Sequence, residues 1–158
     1  MVDPRNKPTW RVETFPAPAA GAEFSITPNM AAHWLIRSFS VSLTASAVAG
    51  DREISLAADN GTSVWWRAIV EDIQVANTTR SYSAFGGAVG SFATADVVTL
   101  GFPTDGLFLP QGHRLRSITA TLDAGDQFSA LTAFIIEFPT GPFTHFWPIP
   151  PLMEEESS

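Results

Sequence analysis

Between His33 and Ala47 the chain alternates with a period of two. Leu35, Arg37, Phe39, Val41 and Leu43 fall on one parity, and Trp34, Ile36, Ser38, Ser40, Ser42 and Thr44 fall on the other. Past Ile36 one parity is apolar and the other carries hydroxyls, the pattern of a strand with one face buried and one face wet. A helix would mix the two sets, because its side chains return to the same face every 3.6 residues rather than every two. No window of helical length carries an unbroken helical apolar stripe. Ser63 to Val75 is the ambiguous stretch, since both parities are apolar there; read as a strand, it is expected to be buried on both faces.

Turn residues divide the rest of the chain into short strands. Ala49-Gly50-Asp51 is read as a hairpin turn into Glu53–Ala57, and Asp59-Asn60-Gly61 as another into Val64–Val75, because Gly and Asn accept the positive φ of tight turns. Arg80–Phe85 follows, then a flexible connection Gly86-Gly87-Ala88-Val89-Gly90, then Val97–Leu100 and Leu107–Leu109. Arg114–Asp123 and Gln127–Phe138 flank Asp123-Ala124-Gly125-Asp126, which predicts a long terminal hairpin. About seven to nine strands in one domain-sized chain point to an all-β fold: a single antiparallel β-sandwich, with the jelly-roll form of two sheets preferred. With 158 residues, 45% of them hydrophobic, there is ample material for one core.

Both ends read differently from this middle. Residues 1–28 hold Pro4, Pro8, Pro16, Pro18 and Pro28, which deny the stretch a helix or a central strand and predict an extended N-terminal arm. Two alternating pieces within it, Trp10/Val12/Phe15 and Phe24/Ile26, are able to add to a sheet edge. Residues 29–138 form the sandwich domain. Residues 139–158 form a tail, Pro139 to Met153 being too proline-rich for regular structure and too aromatic for a solvated linker, so that it needs a surface to lie on.

Chemistry is conspicuous by its lack of motifs. The formal net charge of -7 argues against free nucleic acid as a partner, since phosphate neutralisation needs a cationic footprint. With no cysteine, disulfides, zinc–thiolate sites and thiol nucleophiles are excluded. No stretch approaches about eighteen uninterrupted apolar residues, so no membrane span is expected. Met1–Trp10 lacks the order of a signal peptide, which leads to an expectation of synthesis in a cytoplasm. His33, His113 and His145 stand in no metal-ligand spacing, and Asp59-Asn60-Gly61 lacks the acidic positions of a calcium loop. There is no Gly-x-Ser-x-Gly elbow, and Gly86–Gly90 lacks the Gly-Lys-Ser/Thr ending of a phosphate loop. Glu71, Asp72, Asp123 and Asp126 cannot be placed as a facing acid pair from sequence. No catalytic residue, metal or cofactor is assigned, and the expectation is a protein that is not an enzyme.

Aromatic residues are the anomaly. Five tryptophans, Trp10, Trp34, Trp65, Trp66 and Trp147, and twelve phenylalanines exceed what one small core needs. Trp65 and Trp66 point to opposite faces of one strand; either Trp66 is in the core and Trp65 outside, or the strand is central and both are covered. Trp34 and Trp65 are the candidates for an exposed aromatic platform, suited to a sugar ring or to a protein interface. Trp10 and Phe15 in the first arm, and Phe143, Phe146, Trp147 and Ile149 in the tail, are the candidates for interface anchors.

Trp34-x-Ile36-Arg37-Ser38-Phe39-Ser40-Val41-x-Leu43-Thr44, followed by Ala49-Gly50-Asp51-Arg52-x-Ile54-x-Leu56, resembles the first hairpin of small β-sandwich virion proteins of tailed bacteriophages. Phe108-Leu109-Pro110-x-Gly112-His113-x-Leu115-x-Ser117-x-Thr119, running through Leu122–Ser129 to Ile136-Glu137, resembles their closing stretch. The resemblance covers about residues 33 to 138 and points to the capsid decoration, or cement, proteins. It implies a jelly roll that associates as a homodimer or homotrimer, sits on the capsid surface of the virion, and clamps the major capsid protein with its terminal extensions. Pro-rich arms suit that role because they lose little chain entropy when laid on a neighbour. Two other readings stay open: a carbohydrate-binding or receptor-binding jelly-roll module, and a head–tail or tail component of the virion.

Overall fold

The computed structural model describes residues 7–29, 31–70, 72–87, 92–94 and 96–140. β3 (Ala32–Thr44) is the spine of the larger of two sheets. Along one edge it pairs with β12 (Leu131–Pro139), and along the other with β6 (Thr79–Phe85) and β9 (Leu107–Leu109). β1 (Thr9–Phe15) closes the β12 side; β8 (Val97–Leu100), parallel to β6, and β7 (Phe92–Ala93) extend the other. The two residues of β11 (Gln127–Phe128) pair with the end of β3. The smaller sheet is antiparallel, in the order β2 (Ser25–Ile26), β10 (Arg114–Ala120), β4 (Glu53–Asp59), β5 (Val64–Ile69). No helix occurs among the described residues. The chain is an all-β sandwich.

One irregularity in β3 decides what lies inside. Phe134 of β12 opposes Ser38 and the next residue, Ile135, opposes Ile36, so Arg37 is left over as a bulge. An extra residue flips the parity of everything beyond it. Trp34 and Ile36 before the bulge and Phe39, Val41 and Leu43 after it are therefore all buried, although they do not share one sequence parity. They meet Leu56 and Ala58 of β4, Leu115 of β10 and Ile135 of β12 in one core. Each large side chain so buried contributes roughly 1.5–3 kcal/mol of transfer free energy.

Two expected hairpins are instead crossings between layers. β3 lies in the large sheet and β4 in the small one, so Ala49-Gly50-Asp51 turns the chain from one sheet to the other; Asp123–Asp126 does the same between β10 and β11. Both crossings converge on one buried ion pair, in which Arg52 Nε and Nη2 donate to Asp126 Oδ2 and Oδ1, each at 2.9 Å. Arg52 Nη1 also donates to the carbonyls of Val48 and Gly50, while Asp126 accepts from the backbone N–H groups of Ser46 and Asp123, both at 2.8 Å. Burial alone pushes the Asp126 carboxyl up, but these donors outweigh it and hold the group well below the usual carboxylate range. Gln74, bridged to Arg52, extends the network: its side-chain amide donates to the carbonyls of Leu43 and Thr78 and accepts from the Tyr82 hydroxyl at 2.7 Å.

In the N-terminal stretch the two alternating pieces do add to sheet edges, β1 in the large sheet and β2 in the small one, and only the projecting arm is corrected. β1 pairs with β12 along its whole length, from Thr9↔Glu137 to Phe15↔Leu131, and Phe24 and Ile26 are core residues. Glu23 accepts from the Ser117 hydroxyl and the Thr119 N–H at 2.5 Å each, which ties the segment to β10. Pro8, Pro16, Pro18 and Pro28 flank β1 and β2 without interrupting either, so no ladder donor is lost. Residues 9–28 are thus part of the sandwich and not an arm projecting from it. The tail from residue 141 onward and the loop residues Ala88–Gly90 lie outside the described residues.

β5 also departs from expectation. Only its inner face meets another layer, because it is the edge strand of the small sheet with β4 as its single neighbour; Val64, Trp65 and Ile69 are exposed. The strand ends at Ile69, and Val70 and Gln74 turn inward to the core and the polar network.

Candidate functional site

Residues directly opposed in a sheet share a face, so the pairing register maps the outer surface of the large sheet. One row across β1, β12, β3 and β9 reads Trp10, Ile136, Leu35, Phe108. The next, across β1, β12, β3 and β6, reads Val12, Phe134, Ser38, Phe85. Trp10 packs on Phe134 with ring centroids 5.5 Å apart, yet Trp10 remains 63% exposed and Val12 70%. The following rows are hydroxyl-bearing: Thr14, Thr132, Ser40 and Ser83, then Ser42 with Ser81, then Thr44 with Thr79. Side chains in those rows bond to one another, Ser42 to Ser81 and Thr44 to Thr79 both at 3.0 Å. The outer face of a sandwich sheet is ordinarily polar throughout. Here one half is polar and the other is an apolar band, interrupted in its second row by Ser38.

A groove of about 430 Å³ adjoins the end of that band. Trp65, Trp66, Phe108, Pro103, Pro110 and His113 line it, with Gly106 and Leu107 at its floor. Trp66 points inward and meets Phe102 edge-on at 5.5 Å, which fixes one wall to the core. Trp65 sits in the irregularity where β5 passes from Trp66↔Ala58 to Val64↔Asp59, and it meets His113 edge-on at 6.2 Å. Gly106 has φ +92° and lies so close to Ile36 that a Cβ would stand 2.6 Å from its carbonyl oxygen, so the loop can reach β3 only as glycine. Besides the indole N–H groups of the two tryptophans, the lining has one polar side chain, His113, whose Nδ1 is 3.3 Å from the Gln111 carbonyl.

Beyond the groove, on the outer face of the small sheet, lies a basic cluster. Arg67 follows Trp65 by two residues, Arg114 follows His113, and Ala57 opposes both Arg67 and Arg116. Among the described residues one carboxylate, Asp59, serves this group, accepting from Arg114 Nε at 2.7 Å and Arg116 Nε at 2.5 Å; Arg67 donates to the Ser55 hydroxyl at 3.0 Å. Burial raises the Asp59 carboxyl, but the two guanidinium groups and the Gly61 N–H overcome it and lower it to about 2.

Of the residues singled out in the sequence, Trp10 stands in the apolar band and Trp65 at the groove. Phe15 points inward and packs on Trp34, 5.6 Å between ring centroids. Trp34 is corrected: it is 2% exposed and forms no platform. The bulge at Arg37 puts it on the core parity, β1 covers it with Arg11 and Phe15, and its indole N–H donates to Glu137 at 2.9 Å. Phe143, Phe146, Trp147 and Ile149 lie outside the described residues. Val12, Leu35, Phe85, Phe108 and Phe134 were not singled out. The signal for Phe134 was the presence of large apolar residues on both parities of Leu131–Phe138, which marks a strand covered on both faces.

Several other ionisable groups are structurally engaged. Arg52 and Asp126 neutralise one another, and Tyr82, raised to about 12 by burial, donates to Gln74. His33 accepts the Gln111 N–H at 3.0 Å and stacks on Phe108. Among the described residues no three His, Cys, Asp or Glu side chains converge to hold a metal ion. Comparison with family models, curated proteins and solved structures finds no match to this chain.

Proposed function

We propose that the chain is a non-enzymatic structural protein of a tailed-bacteriophage virion, one that binds the outer capsid surface as a homo-oligomer and reinforces the shell. The observation that carries the protein-binding reading is the apolar band Trp10, Val12, Phe134, Leu35, Phe108 and Phe85 on the outside of the large sheet. Apolar surface of this kind, rimmed by hydroxyls, suits contact with another protein and not solvent. The capsid as partner is supported by the resemblance of residues 33–138 to decoration proteins. The jelly-roll class is supported by the two layer crossings, β3 to β4 and β10 to β11. With residues 9–28 built into the sandwich, attachment is assigned to the band in place of two arms. Repetition of such contacts on a symmetric lattice multiplies modest affinities.

Light scattering coupled to size exclusion, followed by pelleting with undecorated phage shells, tests this. A discrete dimer or trimer that co-pellets in fixed stoichiometry is the expected result; a monomer that stays in the supernatant overturns it. The groove and Trp65 favour a second reading, a carbohydrate-binding module, because an exposed indole stacks well on a sugar ring. That reading is the weaker one, since sugar hydroxyls need several convergent polar groups and the groove offers His113 and two indole N–H groups but no carboxylate, amide or hydroxyl side chain. Saturable quenching of tryptophan fluorescence by a glycan would reverse the order.

A further inference from the structure

We infer that the aromatic groove is the seat of residues 148–156 of this chain, with Pro148–Leu152 lying in the groove as a polyproline II segment and Glu154, Glu155 and Glu156 pairing with Arg67, Arg114 and Arg116. The first support is chemical. Pro148-Ile149-Pro150-Pro151 places prolines three apart, the spacing that aromatic-lined grooves accept from an extended, preformed polyproline II helix. Trp65, Phe108, Pro103 and Pro110 provide such a lining, and their scarcity of hydrogen-bonding groups suits prolines, which have no N–H to satisfy.

Position is the second support. The Thr140 N–H donates to the Ala31 carbonyl at 2.8 Å, and Phe138 opposes His33, which stacks on Phe108 at the groove wall. From β12 across β3 to β9 is two strand spacings, about 10 Å. The eight residues from Thr140 to Pro148 reach at most about 26 Å, so the segment arrives at the groove with slack. The third support is charge in matching order. Three glutamates follow the prolines, and three arginines around a single aspartate follow Trp65 and His113. A chain that fills the groove at its prolines therefore brings its acids to the basic cluster.

The test uses the full-length chain labelled with 5-fluorotryptophan, each ring giving a fluorine signal and Trp65→Phe assigning the one of interest. In the triple variant Pro148→Ser, Pro150→Ser, Pro151→Ser, the Trp65 signal is expected to move while that of Trp34, buried in the core, stays in place and reports an intact fold. A synthetic peptide of residues 146–156 added to this variant is expected to return the Trp65 signal toward its original position. Replacing the three glutamates of the peptide by glutamine is expected to weaken its midpoint by about threefold or more, the scale of exposed ion pairs. Invariance of the Trp65 signal to dilution assigns the docked segment to the same chain, and dependence on dilution assigns it to a neighbouring copy. A Trp65 signal unchanged in the triple variant overturns the proposal, as does a peptide that binds equally well without its glutamates. These measurements use the isolated protein, so a failure to bind shells leaves their outcome unaffected.

Discussion

The two halves of β3 are built to opposite specifications. Before the bulge at Arg37 its outward residues are His33 and Leu35, flanked by Ile136 and Phe138 on one side and Phe108 on the other. After the bulge they are Ser38, Ser40, Ser42 and Thr44, flanked beyond Ser38 by Thr132 and by Ser83, Ser81 and Thr79. The inner faces of the two halves are alike, since both feed the same core. What differs is the environment that each outer face is suited to: hydroxyl side chains satisfy one another and water, whereas an apolar band gains free energy only when something covers it. A single sheet thus carries a solvent face and a contact face, with the change falling one row past the bulge, between the Ser38 row and the Ser40 row.

The comparison requires that both halves belong to one folding unit, and Asp126→Asn tests this with the largest expected effect. It leaves Arg52 buried against a neutral partner, and urea unfolding should show a loss of about 3–5 kcal/mol in a single transition. Two separate transitions would break the comparison at its base. Next in size, Trp10→Ser with Phe134→Ser should weaken self-association or shell binding about 30-fold, the scale of about 2 kcal/mol for an interface anchor, with far-ultraviolet dichroism unchanged. Ser40→Ala with Ser83→Ala, in the other half, should leave binding as it was; equal losses from both pairs would erase the distinction between the faces.

A smaller effect is expected from acid. Asp59 and Asp126 are held below their ordinary values in the folded protein, so the unfolded chain takes up protons first as pH falls. The stability they supply is full above about pH 4 and is lost as pH drops toward about 2 for Asp59 and lower still for Asp126. The Asp59 share is on the order of 1 kcal/mol once screening at its partly exposed arginines is counted. Urea midpoints at pH 6 and pH 3 measure it, and Arg114→Gln with Arg116→Gln should flatten the difference. Smallest is the hydroxyl ladder: Ser42→Ala removes the bond to Ser81 and should cost about 0.5 kcal/mol.

Much of this architecture was legible in the residues. The alternation of His33–Ala47, the hairpin of β4 and β5 around Asp59-Asn60-Gly61, and the absence of helical stripes all follow from local pattern, and Asn60 and Asp59 cap that turn as their chemistry suggests. Trp10 and Trp65 stood out as candidate surface aromatics for the same reason. Trp34 was misplaced because an alternation does not reveal a bulge, and one extra residue reverses its face. The groove was invisible, since Trp65, Pro103, Phe108 and His113 come from separate segments that only packing brings together.

The division has a physical cause. Side-chain periodicity and turn chemistry are properties of neighbours along the chain, and they settled by themselves that this protein is all-β, where its principal strands lie and how much apolar material it must bury. Which strand lies beside which is settled by pairings between distant residues. An Asp-x-Gly-Asp turn serves a hairpin or a crossing equally well until the buried pair Arg52–Asp126 selects the crossing. Only the tertiary structure could therefore decide that the proline-flanked Thr9–Phe15 is a strand of the sheet, that Trp34 is core, and that Trp10, Phe134, Phe85, Phe108 and Trp65 gather into a band and a groove beside it.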